Sequence, residues 1–335
     1  MKERSDRSIN IIMAEKKHSS FALLRILEEE TDEEHILTAN QLMSRLAEQY
    51  DLHVERRTLY SNIEILRQAG YEISDYYDNG KGYYLLSRQF DKSEILLLCN
   101  AIHASHFIAE KQSNDLIQKL LATLSREQRR EFKDAVYMPN RLKTENNTLF
   151  YTIGIISEAI RDGRSVRFTY LHYNAQKKLV PRREEPYTVE PRYIVYNDSR
   201  PYLICTNPKY TDFVHYRLDK IKDPEILNEP VRKLTKVRET EAYRYAENKL
   251  FMFAGDTDWV TFRCAERIMD QMIDIFGPQL RTSPAENGYF TCRVKTTESG
   301  ALFLAQQFMD AIQITAPESL RTTFVENLRN ILLSY

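Results

Sequence analysis

A run of short strands in the middle of the chain constrains the fold most. Residues 190–221 are rich in tyrosine and β-branched side chains that alternate with polar ones, and Asn, Asp, Pro and Lys interrupt them at short intervals. Such a pattern is typical of short antiparallel strands joined by tight turns. With the strand-like segments at 165–171 and 186–197, it predicts about five short strands, which favours a small β-barrel.

The start of the chain instead repeats apolar side chains at helical spacing. Helices are predicted over 21–27 and over 38–50, the second behind Thr38 or Asn40 as its N-terminal cap. A third helix is predicted over 55–70, after a short break in the apolar pattern. These helices lie close enough in sequence to form a helix-turn-helix.

A hairpin is predicted directly after the third helix. Gly70 supplies a left-handed stop, and residues 71–86 then alternate as two strands around Asn79-Gly80, a dipeptide typical of two-residue hairpin turns. Helices followed by such a hairpin predict a winged helix-turn-helix over residues 15–88.

The predicted third helix carries candidate DNA contacts. In such a domain the second motif helix lies in the major groove, where Arg and Asn read base edges and hydroxyl groups bond phosphates. The candidates lie in the first half of this helix and on the hairpin: Arg56, Arg57, Thr58, Tyr60, Ser61, Asn62 and Lys81. Alternatively, Leu59, Ile63 and Leu66 mark only a core face and the polar residues face solvent.

The charge of the first 87 residues counts against DNA binding. They hold 11 basic and 16 acidic side chains, although much of the acidic excess lies in one cluster at 28–34. That cluster is typical of a solvated helix end, which could point away from a phosphate backbone.

The chain as a whole predicts an α+β multidomain protein. Its 335 residues exceed one ordinary domain. A helical connector is predicted over 89–145, the barrel domain over 146–225 and a linker over 226–256. Strands and helices alternate over 257–335, which favours a ferredoxin-like α+β domain.

The barrel carries the candidate ligand site. Residues 160–223 hold 13 basic and 8 acidic side chains, so this domain prefers an anion. Arginine bonds phosphate bidentately and an aromatic ring offers a stacking surface. The candidates are Tyr202, Arg217, His215, Arg192 and Tyr193. Alternatively, these tyrosines are ordinary half-buried strand residues, and the arginines pair with Asp219, Glu190 or Glu185.

Several motifs resemble those of the WYL-domain family of bacterial transcriptional regulators. The triplet of that family is matched by PYL at 201–203, and its closing motif by HYRLDKI at 215–221. The head of the family is matched by RTLYSNI at 57–63 and by KGY at 81–83. Two departures bear on the ligand, because Pro201 and Tyr187 stand where the family has tryptophan and arginine.

The resemblance implies a fold and a function. It implies a winged helix-turn-helix head, an Sm-like or SH3-like barrel that binds a nucleotide-like ligand through Tyr202 and Arg217, and a C-terminal extension associated with dimer assembly. The expected partners are a double-stranded DNA operator, a nucleotide or single-stranded nucleic acid effector, and a second copy of the chain.

No enzyme site, cofactor or metal site is predicted. The four cysteines lack Cys-x-x-Cys spacing, and His103 and His106 have no neighbouring ligands that would complete a metal set. A nucleotide- or nucleic-acid-processing enzyme with the barrel as active site is the alternative. No apolar run approaches the roughly 18 residues of a membrane span, and the charged N-terminus is unlike a signal peptide, so we expect a cytoplasmic protein.

Overall fold

The chain forms two compact units that divide after Asn147. A computed structural model describes residues 18–135, 143–144, 146–197, 199–209, 212–247 and 249–335. Helices and strands occur in both units, which confirms the predicted α+β class.

Three helices precede a small antiparallel sheet in the first unit, as the sequence predicts. Its first elements are α1 (18–30), α2 (Ala39–Tyr50), α3 (Arg56–Gln68), β1 (Ile73–Ser74), α4 (Tyr76–Asn79) and β2 (Tyr84–Leu85). The helices bury apolar side chains such as Leu23, Leu46 and Leu59 in one core. Thr38 is the cap of α2, since its side chain accepts from the Gln41 N–H while the Gln41 side chain binds the Thr38 N–H.

The predicted two-residue turn at Asn79-Gly80 is wrong. The strands β1 and β2 do pair, but α4 lies between them as one helical turn. Asp75 accepts the N–H of Tyr77 and shares a capping box with Asp78, while the Asn79 side chain accepts the N–H groups of Lys81 and Gly82. These local side-chain bonds stabilise the longer loop over the tight turn.

Residues 89–135 pack onto the first helices instead of only connecting two domains. They form α5 (Lys92–Ala104), α6 (Glu110–Leu121) and α7 (Arg126–Ala135). The Arg88 guanidinium donates to the carbonyl oxygens of Glu28, Thr31 and Thr123, and Ser125 donates to the buried carboxylate of Asp32. Residues 136–142 and 145 of the predicted connector lie outside the described residues.

The second unit opens with a helix and a curled sheet: α8 (Leu149–Asp162), β3 (Arg164–Tyr173), β4 (Leu179–Pro181), β5 (Tyr187–Asn197), β6 (Arg200–Thr206), β7 (Phe213–Arg217) and β8 (Ile221–Pro230). The strand order is β4-β3-β5-β6-β7, and β8 pairs with β3. Between the described residues β7 and β8 do not pair, so the sheet is a curled half-barrel where the sequence predicted a small barrel. The helix α8 packs against β3, β5 and β8.

Residues 226–256 are not a free linker. Their first residues belong to β8, and α9 (Lys236–Arg244) follows. Beyond α9, Tyr245 and Met252 pack against a cluster that contains Tyr202 and Ile204 of β6. Aromatic and apolar side chains in this charged segment give it a surface to bury, which the sequence pattern did not reveal.

The chain ends in a four-stranded sheet with helices. Its elements are β9 (Thr257–Ala265), α10 (Met269–Phe276), β10 (Thr282–Ala285), β11 (Tyr289–Thr297), α11 (Glu298–Gln307), β12 (Ile312–Ala316) and α12 (Glu318–Leu333). The order β10-β11-β9-β12 with antiparallel pairs is that of a split β-α-β arrangement, as expected for a ferredoxin-like domain. Only β10 was not predicted, since its short TSPA segment contains proline.

The close approach of Gly82 to residue 37 gives a test of the turn between α4 and β2. A Cβ at Gly82 would collide with the carbonyl of Leu37, which accepts the N–H of Tyr83. We expect Gly82→Ala to lower the free energy of unfolding by about 1–3 kcal/mol. Gly154→Ala is the matched control, because open space surrounds this position of α8 and alanine favours a helix by up to about 1 kcal/mol. Urea unfolding measures both, and an unchanged Gly82→Ala protein would contradict the close approach.

Candidate functional site

The register of β6 and β7 brings three predicted residues to one face of the half-barrel. Tyr202 pairs with Arg217, and Ile204 pairs with His215. Because side chains of paired antiparallel residues share a face, Tyr202, His215 and Arg217 lie side by side.

These side chains line an open groove of about 1430 Å³. Its other walls come from α9, from the residues that follow α9, and from the first residues of β9. The lining holds six basic side chains, Arg182, Arg217, Arg238, Arg244, Lys249 and Lys295, against the four acidic ones of Asp212, Glu241, Glu247 and Asp256. A net charge of +2 and several aromatic rings make the groove suitable for an anion with a flat apolar part.

Tyr202 forms the floor of the groove. Its side chain is buried beside Ile204 and Met252, and its ring meets the His215 ring edge to face, with centroids 5.8 Å apart. Met252 belongs to the strap, which we define as residues 245–247 and 249–256. The strap therefore covers part of the predicted ligand-facing tyrosine.

Arg217 is partly neutralised inside the protein. Its Nε and Nη2 donate to the two carboxylate oxygens of Asp219 at 3.0 and 2.6 Å, and its backbone N–H donates to the Tyr170 hydroxyl. Burial acts to lower the pKa of Arg217, but the bonds to Asp219 outweigh it and raise the pKa. Arg217 is thus a fixed cation, and Nη1 makes no hydrogen bond to the described residues.

His215 lines the groove as a neutral group. Its Nδ1 lies 3.0 Å from the Tyr245 hydroxyl, and burial lowers the pKa of the imidazole. Tyr245 and His215 therefore form a hydrogen-bonded pair at neutral pH, without the positive charge that a phosphate prefers.

Arg192 and Tyr193 do not line the groove, so these two predictions are corrected. A β-bulge between Pro191 and Tyr193 changes the direction of β5 at this point. The Arg192 guanidinium is buried and donates to Glu190, Thr206 and the Arg232 carbonyl. Tyr193 packs on the outside of the cluster that holds Tyr202 and Ile204. Pairing of Arg192 with Glu190, the alternative that the sequence left open, is what the structure shows.

The structure adds residues that the sequence did not single out. Lining side chains come from the segment expected to be a linker and from the last domain: Arg238, Arg244, Tyr245, Lys249, Trp259 and Lys295. A mixture of aromatic and basic residues at 236–249 was the available signal, but a charged helical pattern is equally typical of a solvated helix.

Most predicted DNA contacts lie on the exposed face of α3 or in the turn between α4 and β2. Arg56, Arg57, Tyr60, Ser61 and Lys81 are exposed, and Thr58 is half-buried. Asn62 is a correction, because its buried side chain accepts from Ser20 and donates to Ser19 of α1. Asn62 joins α1 to α3 and does not face outward.

In the part of the chain that the structure describes, no helix is both long and apolar enough to cross a membrane. Over the same residues, no three His, Cys, Asp or Glu side chains lie together as metal ligands would. The four cysteines are free and buried.

Glu190 gives a pH-dependent test of the cluster that holds Arg192. Burial acts to raise the pKa of Glu190, but hydrogen bonds from Arg232 and Thr206 outweigh it and hold the pKa below its usual value. A lowered pKa in the folded state stabilises the protein above the usual glutamate pKa of about 4.3, and this stabilisation is lost as the pH falls through the lowered value.

We therefore expect Glu190→Gln to lower the free energy of unfolding by about 1–3 kcal/mol at neutral pH. The difference from wild type should shrink at about pH 3, as urea unfolding at both pH values would show. Glu225→Gln is the matched control, since its exposed pair with Arg167 contributes at most about 1 kcal/mol. An equal loss at both pH values would contradict the assigned charge of Glu190.

Comparisons with known proteins found two distant structural likenesses. A search of the curated proteins found no match. The solved structure of proteasome accessory factor B/C (PafBC) of Arthrobacter aurescens is similar at 16% identity over 95% of this chain and 49% of that chain, with a TM-score of 0.28. This chain thus spans about half the length of that chain. A CRISPR Cas-related protein of known crystal structure is similar at 14% identity over 74% of this chain and 76% of that chain, with a TM-score of 0.39.

A family match covers the half-barrel itself. Residues 152–226 match the model of the WYL domain, from within α8 to within β8. These residues include the PYL triplet, Arg217 and the strands that form one wall of the groove. Residues 152–226 are therefore a WYL domain.

Proposed function

We propose that this protein is a ligand-responsive, DNA-binding transcriptional regulator whose groove binds a nucleotide or a single-stranded nucleic acid. The observation that carries the proposal is the placement of Tyr202 and Arg217 side by side in a WYL domain, on the wall of a basic, aromatic groove. As in the sequence-based expectation, it acts in the cytoplasm as a homodimer.

The groove suits a ligand that carries both a phosphate and a base. Arg217 is held in place by Asp219, and a guanidinium in a fixed position bonds phosphate at a smaller entropic cost. The rings of Tyr245 and Trp259 offer stacking surfaces at the same groove. A volume of about 1430 Å³ exceeds that of usual small-molecule sites, about 300–1,000 Å³, which leaves room for more than one nucleotide.

The strap provides a way for a ligand to change the protein. Met252 and Tyr245 pack against the Tyr202 cluster. A ligand that stacks on Tyr202 competes with this packing, so it binds better when the strap has moved. Ligand binding then shifts the population towards that second arrangement.

The first unit suits duplex DNA in spite of its acidic sequence. Glu30 is nearly buried and bonded to Arg45, and Asp32 is buried and bonded to His35 and Ser125. Part of the acidic cluster at 28–34 is thus neutralised inside the unit. The exposed face of α3 and the wing present Arg57 and Lys81 to a phosphate backbone in a winged helix-turn-helix.

Arg57 tests the DNA-binding part of the proposal. We expect Arg57→Ala to weaken binding to a labelled duplex about tenfold, because an exposed cation of α3 is lost. The slope of the logarithm of affinity against the logarithm of salt concentration should become shallower by about one, as for the loss of one phosphate contact. Fluorescence anisotropy over a range of salt concentrations measures both. Arg130→Ala is the control, since this exposed arginine lies on α7, outside the proposed surface. Equal affinities of Arg57→Ala and wild type would remove α3 from the interface.

Arg217 tests the ligand site. We expect Arg217→Gln to weaken the binding of nucleotides or short single strands tenfold or more, because a charge-assisted bond to phosphate contributes about 1.5–3 kcal/mol. Isothermal titration calorimetry measures the affinity. Arg167→Gln is the matched control, since Arg167 pairs with Glu225 at 2.7 Å as Arg217 pairs with Asp219 but lies outside the groove. Wild-type affinity in Arg217→Gln would exclude this residue from the site.

A further inference from the structure

One face of the C-terminal sheet is open. The helices α10, α11 and α12 cover the other face, where Val260, Phe262 and Val294 are buried in the core. Alternation along β9 and β11 places the intervening residues on the uncovered side. We call this surface the open sheet face; on the two central strands it comprises Trp259, Thr261, Arg263, Tyr289, Thr291, Arg293 and Lys295.

All charged side chains of the open sheet face on the two central strands are basic. The face presents three cations and two large aromatic rings, and none of these seven side chains is a carboxylate. The rest of the face, on the outer strands, shows Ser283 of β10 and Gln313 and Thr315 of β12 among the described side chains. Such a surface attracts an anion.

Two of the cations lie over the two aromatic rings. The Arg263 guanidinium lies 3.7 Å from the centroid of the Tyr289 ring, and that of Arg293 lies 4.8 Å from the Trp259 ring. Arg263 also donates to the Gln313 side chain, which holds it across the sheet. Trp259 remains 49% exposed, so a flat group has access to it. Guanidinium planes and aromatic rings are the surfaces on which unpaired bases stack.

We propose that the open sheet face binds a single-stranded nucleic acid. Four-stranded sheets that bind single-stranded RNA stack two or three bases on aromatic side chains of their surface. Here Trp259 and Tyr289 stand on neighbouring central strands, and Arg293 and Lys295 are exposed between and beside them. Tyr289 and Lys295 are six residues apart on β11, about 20 Å, which is long enough for several nucleotides.

The open sheet face is continuous with the groove. Trp259 and Lys295 belong to both surfaces, so a strand that lies on the sheet reaches the groove at that end. The inference rests on the proposed function, because it takes the ligand of the groove to be a single-stranded nucleic acid and not a single nucleotide. Its own residues Tyr289, Arg263 and Arg293 lie outside the groove, which allows the two ideas to be tested separately.

Trp259 offers a direct measurement, because it is the only tryptophan of the chain. We expect its fluorescence to be quenched by an oligothymidylate of about 12 nucleotides, within the range of site sizes of single-strand binders. In Arg293→Glu the midpoint of quenching should move to an oligothymidylate concentration about tenfold higher or more. The slope of the logarithm of affinity against the logarithm of salt concentration should become shallower by about one, as for the loss of one phosphate contact. Arg329→Glu, an exposed charge reversal on α12, is the control and should leave the midpoint unchanged.

A labelled strand followed by fluorescence anisotropy tests the stacking residue itself. Trp259→Ala should weaken binding about tenfold or more, while Trp259→Phe, which keeps a ring, should retain most of the affinity. Urea unfolding of each variant, together with Arg293→Gln as a milder change, separates a loss of binding from a loss of folding.

Several results would overturn the inference. An unchanged midpoint in Arg293→Glu, or strand binding without quenching, would remove the open sheet face; if Arg217→Gln still weakened binding, the proposed groove would survive. Binding of thymidine monophosphate but not of the strand would also remove the open sheet face and leave the groove. Binding of neither ligand would overturn both proposals. If Trp259→Ala instead turned a dimer into a monomer in sedimentation experiments, the face would be an interface between copies of the chain.

Discussion

The antiparallel register of β6 and β7 is the constraint on which the candidate site depends. Pairing of Tyr202 with Arg217 places Tyr202, His215 and Arg217 on one face and sends Leu203 and Tyr216 to the other. On that other face the Tyr216 ring packs against the rings of Phe168, Tyr170 and Tyr187. A slip of one residue would exchange the two faces and bury Arg217 among these rings, so the aromatic cluster fixes the register that forms the groove.

The strap joins the groove to the C-terminal domain. Met252 packs under the groove beside Tyr202, whereas its neighbour Phe251 contacts Phe303 of α11, with ring centroids 5.0 Å apart. Both strap residues have positive φ, 55° and 54°, a conformation that costs a residue other than glycine of order 1–3 kcal/mol. Packing on two sides compensates this strain. A ligand that removes one side of the packing would therefore favour a different strap conformation.

Local patterns revealed much of the fold, and long-range contacts account for what they missed. Alternation in β6 and β7 and helical spacing in α2 and α3 depend on neighbouring residues, so the sequence predicted these elements. The placement of Tyr202 and Arg217 at one site was implied by the family resemblance. Asn62 looked like a DNA contact because its burial depends on serines more than 40 positions earlier.

The same limit explains the errors around the site. Arg192 was assigned to the ligand site because the bulge beside it becomes visible only in the pairing of β5 with β6. Residues 226–256 looked like a linker because the surface on which they pack lies on distant strands. More than half of the residues that line the groove come from this segment and from the last domain, so the sequence found only one wall.

Hydrogen–deuterium exchange is the measurement that tests the groove as the effector site most directly. With a saturating nucleotide or short single strand, the account predicts slower exchange in β6, β7 and α9, which form walls of the groove, and faster exchange in the strap, whose packing the ligand displaces. Unchanged exchange in all of these elements while the ligand is bound, or protection confined to other parts of the chain, would contradict it.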